Sequence, residues 1–169
     1  GHESGMWSLG DVFRSKGYKT AFIYGGRGYF DNMNSFFSGN GYDVIDQTTV
    51  ASDEIDFVNA WGMADEDIYK QASKAADDAY QQGAPFFFHI MTTSNHRPYT
   101  YPQGRIDILS GSNRAGAVKY TDWAIGNFLQ RVKHKPWFED TVFVFVADHT
   151  AGSAGSSALP LSRYHIPLL

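Results

Sequence analysis

The segment PFFFHIM, residues 85–91, decides the fold class, because a proline opens it and an apolar run then leads into a polar loop. Two other runs have the same character, TAFIY at residues 20–24 and TVFVFVA at residues 141–147. Continuous apolar strands of this kind are typical of parallel sheets, in which both faces of a strand are buried. We therefore predict buried strands at these positions, with a shorter extended piece at Val44-Ile45.

Helical patterns separate the predicted strands. Ser8 is placed to cap a short helix that Gly17 closes, and a second short helix is predicted over residues 29–37. The clearest helix covers residues 65–83, with carboxylates in its first turn, where the helix macrodipole favours them. Another is predicted over residues 113–133. This alternation predicts a single α/β domain, with a mostly parallel sheet covered by helices on both faces.

The composition excludes several classes of protein. The 169 residues are enough for one domain, and a hydrophobic fraction of 43% is that of an ordinary globular protein. A net charge of −4 without a basic run argues against a nucleic-acid partner. The absence of cysteine excludes disulfides and thiolate metal sites. The apolar runs are far shorter than the ~20 residues that a membrane-spanning helix needs.

A parallel sheet binds its ligands at the carboxyl ends of its strands, which directs attention to the loops at residues 25–31, 92–96 and 148–153. In the last of these, Asp148 and His149 follow a predicted strand directly. Their carboxylate oxygen and imidazole nitrogen suit zinc, manganese or a similar divalent ion. An Asp-His pair also occurs at strand ends without a metal, so the pair alone leaves both interpretations open.

The loop TTSNHRPY, residues 92–99, places hydroxyl, amide, imidazole and guanidinium groups close together in the sequence. Asn95, His96 and Arg97 are candidates for binding a phosphate or the hydroxyl groups of a glycerol or a sugar. The alternative is a turn held by local hydrogen bonds between side chains and backbone.

The loop GGRG, residues 25–28, joins a predicted strand to a predicted helix and in this respect resembles a phosphate-binding loop. It lacks the G-x-G-x-x-G pattern and the lysine of P-loops, so a plain turn is the alternative. Arg27, Asp31 and Asn32 are the candidate substrate-binding residues here, placed to line a pocket. His89, within the strand at 85–91, is predicted to be a core residue.

Taken together, these motifs are similar to those of lipoteichoic-acid synthase-like phosphoglycerol transferases, in the alkaline phosphatase/sulfatase superfamily. The matching segments, in chain order, are KGYKTAFIYGG at residues 16–26, YFDNM at 29–33, TTSNHRPY at 92–99, VADH at 146–149 and YHIPLL at 164–169. Each motif alone is unspecific, whereas their order and spacing together are specific.

The resemblance implies an alkaline-phosphatase-like α/β fold and transfer of phosphoglycerol from phosphatidylglycerol to a glucan or polymer acceptor of the cell envelope. It implies a threonine nucleophile and a divalent cation, most often manganese, with zinc or magnesium as alternatives. Asp148 and His149 match the family's metal ligands, and His96 matches a substrate-binding histidine. It also implies an extracytoplasmic domain on the periplasmic side, in a parent protein anchored in the inner membrane by spans upstream.

The chain departs from the family pattern at its beginning. The nucleophilic threonine and a glutamate ligand precede the segment that matches residue 16 onward, and residues 1–15 offer no counterpart to either. We therefore expect residues 1–169 to be part of a sulfatase-like catalytic domain, truncated at both ends, with residues 1–5 left over from cloning. Such a chain is expected to contain no catalytic nucleophile, to be inactive alone and, if a sheet edge is left open, to self-associate.

One further departure concerns the substrate pocket. Asp31 and Met33 stand where the Gram-positive synthases place a tryptophan and an arginine, which favours the Gram-negative branch of the family. Two alternatives remain open. The first is a non-catalytic α/β module that binds a glycan or a lipid headgroup, which the aromatic content of 16% also suits. The second is a sulfatase or phosphoethanolamine transferase relative.

Overall fold

A parallel sheet is the centre of the fold in a computed structural model that describes residues 3–150 and 165–169. The chain divides into two units, Gly1–Trp137 and Phe138–Leu169. The strands of the first unit are β1 (Lys19–Tyr24), β2 (Asp43–Ile45), β3 (Val58–Asn59), β4 (Gly62–Met63) and β5 (Phe86–Met91). Its α-helices are α1 (Leu9–Arg14), α2 (Met33–Gly39), α3 (Asp65–Gln81) and α4 (Arg114–Val132), with 3-10 turns at Phe30–Asn32 and Ser52–Glu54.

The main sheet has the order β2-β1-β5, and both pairings are parallel. Strand β1 is central and its residues from Thr20 to Tyr24 are buried, as the uninterrupted apolar run predicts. Ala21 is aligned with Asp43 of β2 on one side and with Phe88 of β5 on the other. The predictions of strands at 20–24 and 85–91, and of an extended piece at 44–45, are confirmed.

Helices cover both faces of this sheet, as predicted. On one face, Ile23 packs with Ile68 and Ala72 of α3. On the other face, Phe22 stacks on Phe37 of α2, with ring centroids 3.6 Å apart. Phe22 and Ile23 are fully buried, and each such burial contributes about 1.5–3 kcal/mol to the free energy of unfolding.

The helices begin and end close to the predicted positions, except that one predicted helix consists of two pieces. At the start of α1, the Ser8 backbone N–H donates to Asp11 Oδ2 at 2.9 Å, which is half of a capping box. The single helix predicted over residues 29–37 is divided into a 3-10 turn and α2. Asp31 and Asn32, at φ 48° and 60°, lie in the left-handed region and interrupt the helical path between the two pieces.

A small antiparallel hairpin, β3–β4, was not predicted from the sequence. Its turn is held by Asn59, whose Oδ1 accepts from the backbone N–H groups of Trp61 at 2.7 Å and Gly62 at 3.2 Å. Gly62 has φ 134°, and a Cβ there would lie 2.1 Å from the carbonyl oxygen of Gly25. The close approach of the hairpin to the turn after β1 therefore requires glycine.

His89 differs from its prediction as a core residue. It lies on β5, one of the two outer strands of the sheet that the described residues form, and is exposed. Its ring packs edge-on against Phe22 and Phe37, with centroids 5.5 and 5.3 Å away. The prediction was wrong because an outer strand is only partly covered, although its sequence is as apolar as that of the central one.

The second unit contains the segment predicted as a buried strand at residues 141–147, and that prediction was wrong. The segment is extended, but its only ladder contact among the described residues is an isolated antiparallel bridge between Val146 and Leu168. Val142, Val144 and Val146 are 86%, 60% and 58% exposed. Every second side chain of the segment is therefore exposed, as in a strand that is covered on one side only. A sequence in which every residue is apolar does not reveal this alternation.

Among residues 3–150 and 165–169, no helix is both long enough and apolar enough to cross a membrane.

Candidate functional site

The loop that carries His96 is fixed to the start of α3 by a buried carboxylate. Asp65 Oδ1 accepts hydrogen bonds from the backbone N–H groups of Thr93 at 3.1 Å and Ser94 at 2.9 Å. In return, Ser94 Oγ accepts from the backbone N–H of Asp65 at 3.1 Å and so caps the helix. Asp65 Oδ2 accepts from the Thr121 hydroxyl of α4 at 3.1 Å. One carboxylate therefore joins β5, α3 and α4 at the carboxyl edge of the sheet.

Burial affects the ionisation of Asp65. Burial raises the pKa of this carboxyl, against the hydrogen bonds from Ser94, Thr93 and Thr121, which lower it. The net direction is upward, because the carboxylate is completely removed from water and no cation lies among its hydrogen-bond partners. Acceptance of several hydrogen bonds is what allows a charge-bearing group to occupy this position at all.

The polar residues of the 92–99 loop divide into an inner and an outer set. Thr93 and Ser94 are buried, and the Thr93 hydroxyl donates to the carbonyl oxygen of Met63 at 2.8 Å. Asn95, His96 and Arg97 are exposed. The inner half of the loop is therefore a turn held by hydrogen bonds between side chains and backbone, which was the alternative predicted for this loop. The three outer side chains remain available to a ligand.

His96 is oriented by Trp61, a residue that is not among the predicted site residues. The two rings lie with centroids 3.6 Å apart, and the indole Nε1–H donates to the carbonyl oxygen of Arg97. His96 Nδ1 lies 3.3 Å from the same oxygen. Since a carbonyl oxygen can only accept, this hydrogen bond requires the proton on Nδ1, and Nε2 is then the accepting nitrogen of the neutral ring. The only sequence signal for Trp61 is an aromatic residue before a glycine, which is weak.

The turn at residues 25–28 is held by internal hydrogen bonds. The backbone N–H of Gly28 donates to Asp46 Oδ2 at 2.7 Å, and that of Gly25 donates to the carbonyl oxygen of Met91 at 3.3 Å. Both amides are therefore engaged within the protein instead of facing a bound phosphate. This arrangement is that of the plain turn, the alternative left open by the sequence.

Asp46 is the buried residue that shapes this turn. Its carboxylate accepts from Gly28, from Asn34 Nδ2 at 3.0 Å, and from both the backbone N–H and the hydroxyl of Thr48 at 2.8 and 2.6 Å. Burial alone raises the pKa of Asp46, but the hydrogen bonds from Thr48, Gly28 and Asn34 outweigh it and hold the pKa below its ordinary value. The lowered pKa favours the charged form of Asp46, which anchors the turn through these four hydrogen bonds.

The three candidates beside this turn have different surroundings. Arg27 is exposed and lines a cavity that Trp61 also lines. Asn32 Nδ2 donates to both carboxylate oxygens of Glu3 at 2.8 Å, so its amide is engaged in a surface contact. Asp31 is exposed and contributes to the raised pKa of Tyr24, of which burial is the larger cause. Phe30 contacts Trp61 edge-on, with centroids 5.8 Å apart, so the Arg27 turn and the His96 loop meet at one indole.

Asp148 and His149 lie in the second unit and form a pair of adjacent donors. Asp148 Oδ2 is 3.3 Å from His149 Nε2, and both residues are exposed. His149 Nδ1 lies 2.8 Å from the carbonyl oxygen of Thr150, and since a carbonyl oxygen can only accept, this hydrogen bond requires a proton on Nδ1. A metal-binding histidine is commonly held in this way, by a carbonyl oxygen on its other nitrogen.

These two residues fit part of a divalent-cation site. A carboxylate oxygen and an imidazole nitrogen are suitable ligands, and the pair presents them side by side. Within residues 3–150 and 165–169 there is no cluster of three or more His, Asp or Glu side chains that could hold a metal ion. The rest of the predicted loop, residues 151–153, lies outside the described residues.

A family model named Sulfatase matches residues 3–169. The chain belongs to the sulfatase family. Phosphoglycerol transferase I of Salmonella arizonae is 29% identical over 153 residues, which cover 85% of this chain and 20% of that protein. The corresponding protein of Citrobacter koseri is 28% identical over the same length. The chain thus spans about a fifth of the length of the curated relatives it matches.

Solved structures agree with this assignment. A protein of the alkaline phosphatase superfamily from Vibrio parahaemolyticus is 37% identical, with a TM-score of 0.87 over 98% of this chain and 41% of that one. The lipoteichoic acid synthase LtaP of Listeria monocytogenes is 23% identical, with a TM-score of 0.79 over 98% of this chain and 46% of that one. The second likeness shows the fold alone. The expected fold class, a parallel α/β sheet of the alkaline phosphatase superfamily, is confirmed.

Proposed function

We propose that this chain is part of a metal-dependent phosphoglycerol transferase, which moves phosphoglycerol from a phosphatidylglycerol-type lipid to a glycan or polymer acceptor of the cell envelope. The observation that carries the proposal is the exposed His96, held in a defined orientation by Trp61 on a loop that Asp65 fixes. The similarity to proteins named phosphoglycerol transferase I supports it.

The donor headgroup is assigned to the outer residues of the two loops. Arg97 is an exposed guanidinium group, which suits the non-bridging oxygens of a phosphodiester. Arg27, also exposed, is assigned to hydroxyl groups of the bound substrates. His96 Nε2 and the Asn95 amide are suited to the glycerol hydroxyls or to the leaving oxygen. Asp31 and Asn32 follow the turn at residues 25–28 and are assigned to the edge of this headgroup site.

Asp148 and His149 are proposed to hold the divalent cation, with manganese preferred over zinc and magnesium. When bound, such an ion stabilises charge on a phosphoryl oxygen and lowers the pKa of a hydroxyl nucleophile. The remaining ligands and the threonine nucleophile are assigned to parts of a longer protein. We place that protein on the outer side of the inner membrane, because its lipid donor and envelope acceptor are both available there.

The experiment that tests the proposal uses the full-length protein that contains this chain. Vesicles with a headgroup-labelled phosphatidylglycerol are supplied with manganese and a glucan acceptor, and transfer of label is measured. The His96→Gln variant is expected to transfer about tenfold less or worse, since it lacks the imidazole, whereas His134→Gln, changed at an exposed histidine elsewhere, is expected to be unaffected. Transfer from phosphatidylethanolamine instead, or hydrolysis of a sulfate ester, would contradict the assignment of the donor.

A further inference from the structure

A cavity of ≈ 390 Å³ lies in the first unit, between the turn after β1 and the β3–β4 hairpin. Its volume is in the range of small-molecule binding sites. The side chains that define its chemistry are Tyr24, Arg27, Tyr29, Phe30, Gln47 and Trp61.

The walls of this cavity are aromatic and partly open to solvent. Tyr29 is 71% exposed and Phe30 is 45% exposed, although both are large apolar rings. Trp61 also lines the cavity and meets Phe30 edge-on. Exposed aromatic rings gathered at one concave surface mark a binding site more often than a structural one.

The cavity has few polar side chains, and three of them make no hydrogen bond within the described part of the chain. These three groups are the Gln47 amide, the Arg27 guanidinium and the Tyr24 hydroxyl. The Asn59 side chain also lines the cavity but is committed, because it holds the hairpin turn and donates to the carbonyl oxygen of Thr100 at 2.9 Å. The cavity therefore offers aromatic surfaces with donors and acceptors at its edge.

This chemistry fits a sugar ring better than an anion. A pyranose has an apolar C–H face, which packs on aromatic rings, and an edge of hydroxyl groups, which pairs with amide, guanidinium and phenol groups. Arg27 is the one positively charged side chain among the described residues that line the cavity, and the neighbouring amides of Gly25 and Gly28 are already bonded internally. A phosphate would find few donors here.

We infer that this cavity is the subsite for a sugar unit of the acceptor, with Trp61 as the wall that it shares with the donor site. The inference rests on the proposed function and specifies the acceptor side of it. Trp61 lines the cavity and also contacts His96, so a sugar bound here lies beside the loop assigned to the phosphoglycerol donor. Transfer between two substrates requires this proximity.

The test is an NMR titration of this chain with a linear gluco-oligosaccharide. The chain has 4 tryptophans, and the Trp61→Phe variant identifies the Trp61 indole resonance. The sugar is expected to shift that resonance and to leave the Trp123 indole, outside the cavity, in place. Tyr29→Ala is expected to weaken binding roughly two- to tenfold, by removing one stacking ring. Tyr80→Ala removes another exposed tyrosine, on α3, and is the matched control.

The inference is overturned if the oligosaccharide leaves the Trp61 resonance unmoved, or if Tyr29→Ala and Tyr80→Ala weaken binding equally. It is also overturned if glycerol phosphate shifts the Trp61 resonance while the oligosaccharide does not, because the cavity is then a donor site. The titration needs neither metal nor nucleophile. Its failure is therefore distinct from a failure of the transfer assay, which tests the proposed function.

Discussion

Asp65 and Ser94 cap each other: the Ser94 backbone N–H donates to the Asp65 carboxylate at 2.9 Å, and the Asp65 backbone N–H donates to the Ser94 hydroxyl at 3.1 Å. The two residues are 29 positions apart in the sequence, and both are fully buried. Their reciprocal bonds fix the end of β5 to the beginning of α3. The exposed His96 stands on the loop that leaves this junction.

Removing this carboxylate is expected to destabilise the fold. In Asp65→Ala, the amides of Thr93 and Ser94 lose their buried acceptor, and the free energy of unfolding is expected to fall by roughly 2–4 kcal/mol. Urea denaturation followed by circular dichroism measures this change. Asp78→Ala, at an exposed position on the same helix, is expected to change it by less than about 0.5 kcal/mol. Equal effects of the two substitutions would show that the junction contributes nothing.

Asp46 gives a pH-dependent prediction. Its pKa in the folded protein is below the ordinary value of 3.8, so its stabilising contribution is present above that value and is lost as the pH falls through the folded pKa. Asp46→Asn is expected to be less stable than the parent chain by roughly 1–2 kcal/mol at about pH 6, and the difference should shrink at about pH 3. Thermal unfolding at both pH values measures it.

The control for this prediction is Asp43→Asn, which changes an exposed aspartate of β2. It should show no comparable pH-dependent difference. A deficit of Asp46→Asn that stays constant between the two pH values would mean that ionisation of Asp46 does not stabilise the turn at residues 25–28.

Metal binding by this chain alone is expected to be weak, because Asp148 and His149 supply two ligands where stable sites use three or four. Calorimetry with manganese should give a dissociation constant above about 1 µM. His149→Ala should abolish the remaining binding, whereas His134→Ala, at an exposed histidine, should preserve it. Sub-micromolar binding, or binding that survives His149→Ala, would contradict the assignment.

The outer strand β5 leads to a prediction about association. Outer strands carry backbone groups that can pair with another chain, and charged side chains discourage such pairing. Sedimentation velocity is expected to show concentration-dependent association of this chain. His89→Lys, which adds a charge on β5, should reduce it, and His134→Lys should not. A monomer at all concentrations would count against this prediction.

The sheet and its helices could be predicted from the sequence wherever a local hydrophobic pattern determines the element. Strand β1 is buried on both faces, so its uninterrupted apolar run reports its position directly. The run at residues 141–147 is just as continuously apolar, yet Val142 and Val144 are exposed. The composition of a segment does not reveal which of its sides is covered. The β3–β4 hairpin has strands of two residues each, too short to produce a periodic pattern.

The candidate site was predictable in its exposed half only. Asn95, His96 and Arg97 follow a predicted strand, and the rule that ligands bind at strand ends locates them. The residues that hold them come from distant positions: Asp65 contacts Ser94 across 29 residues, and Trp61 contacts Arg97 across 36. Such contacts depend on the folded arrangement of the strands, and no spacing within a single segment records them.

The role of Asp148 in the proposed metal site is tested by measuring bound manganese and phosphoglycerol transfer in the full-length protein, with Asp148→Ala compared with Asp140→Ala at a nearby exposed aspartate. We expect Asp148→Ala to lose the metal and to lower transfer by about 100-fold or more, while Asp140→Ala keeps both. An Asp148→Ala protein that retains its manganese and its activity would contradict the claim that this chain contributes to the metal site of a phosphoglycerol transferase.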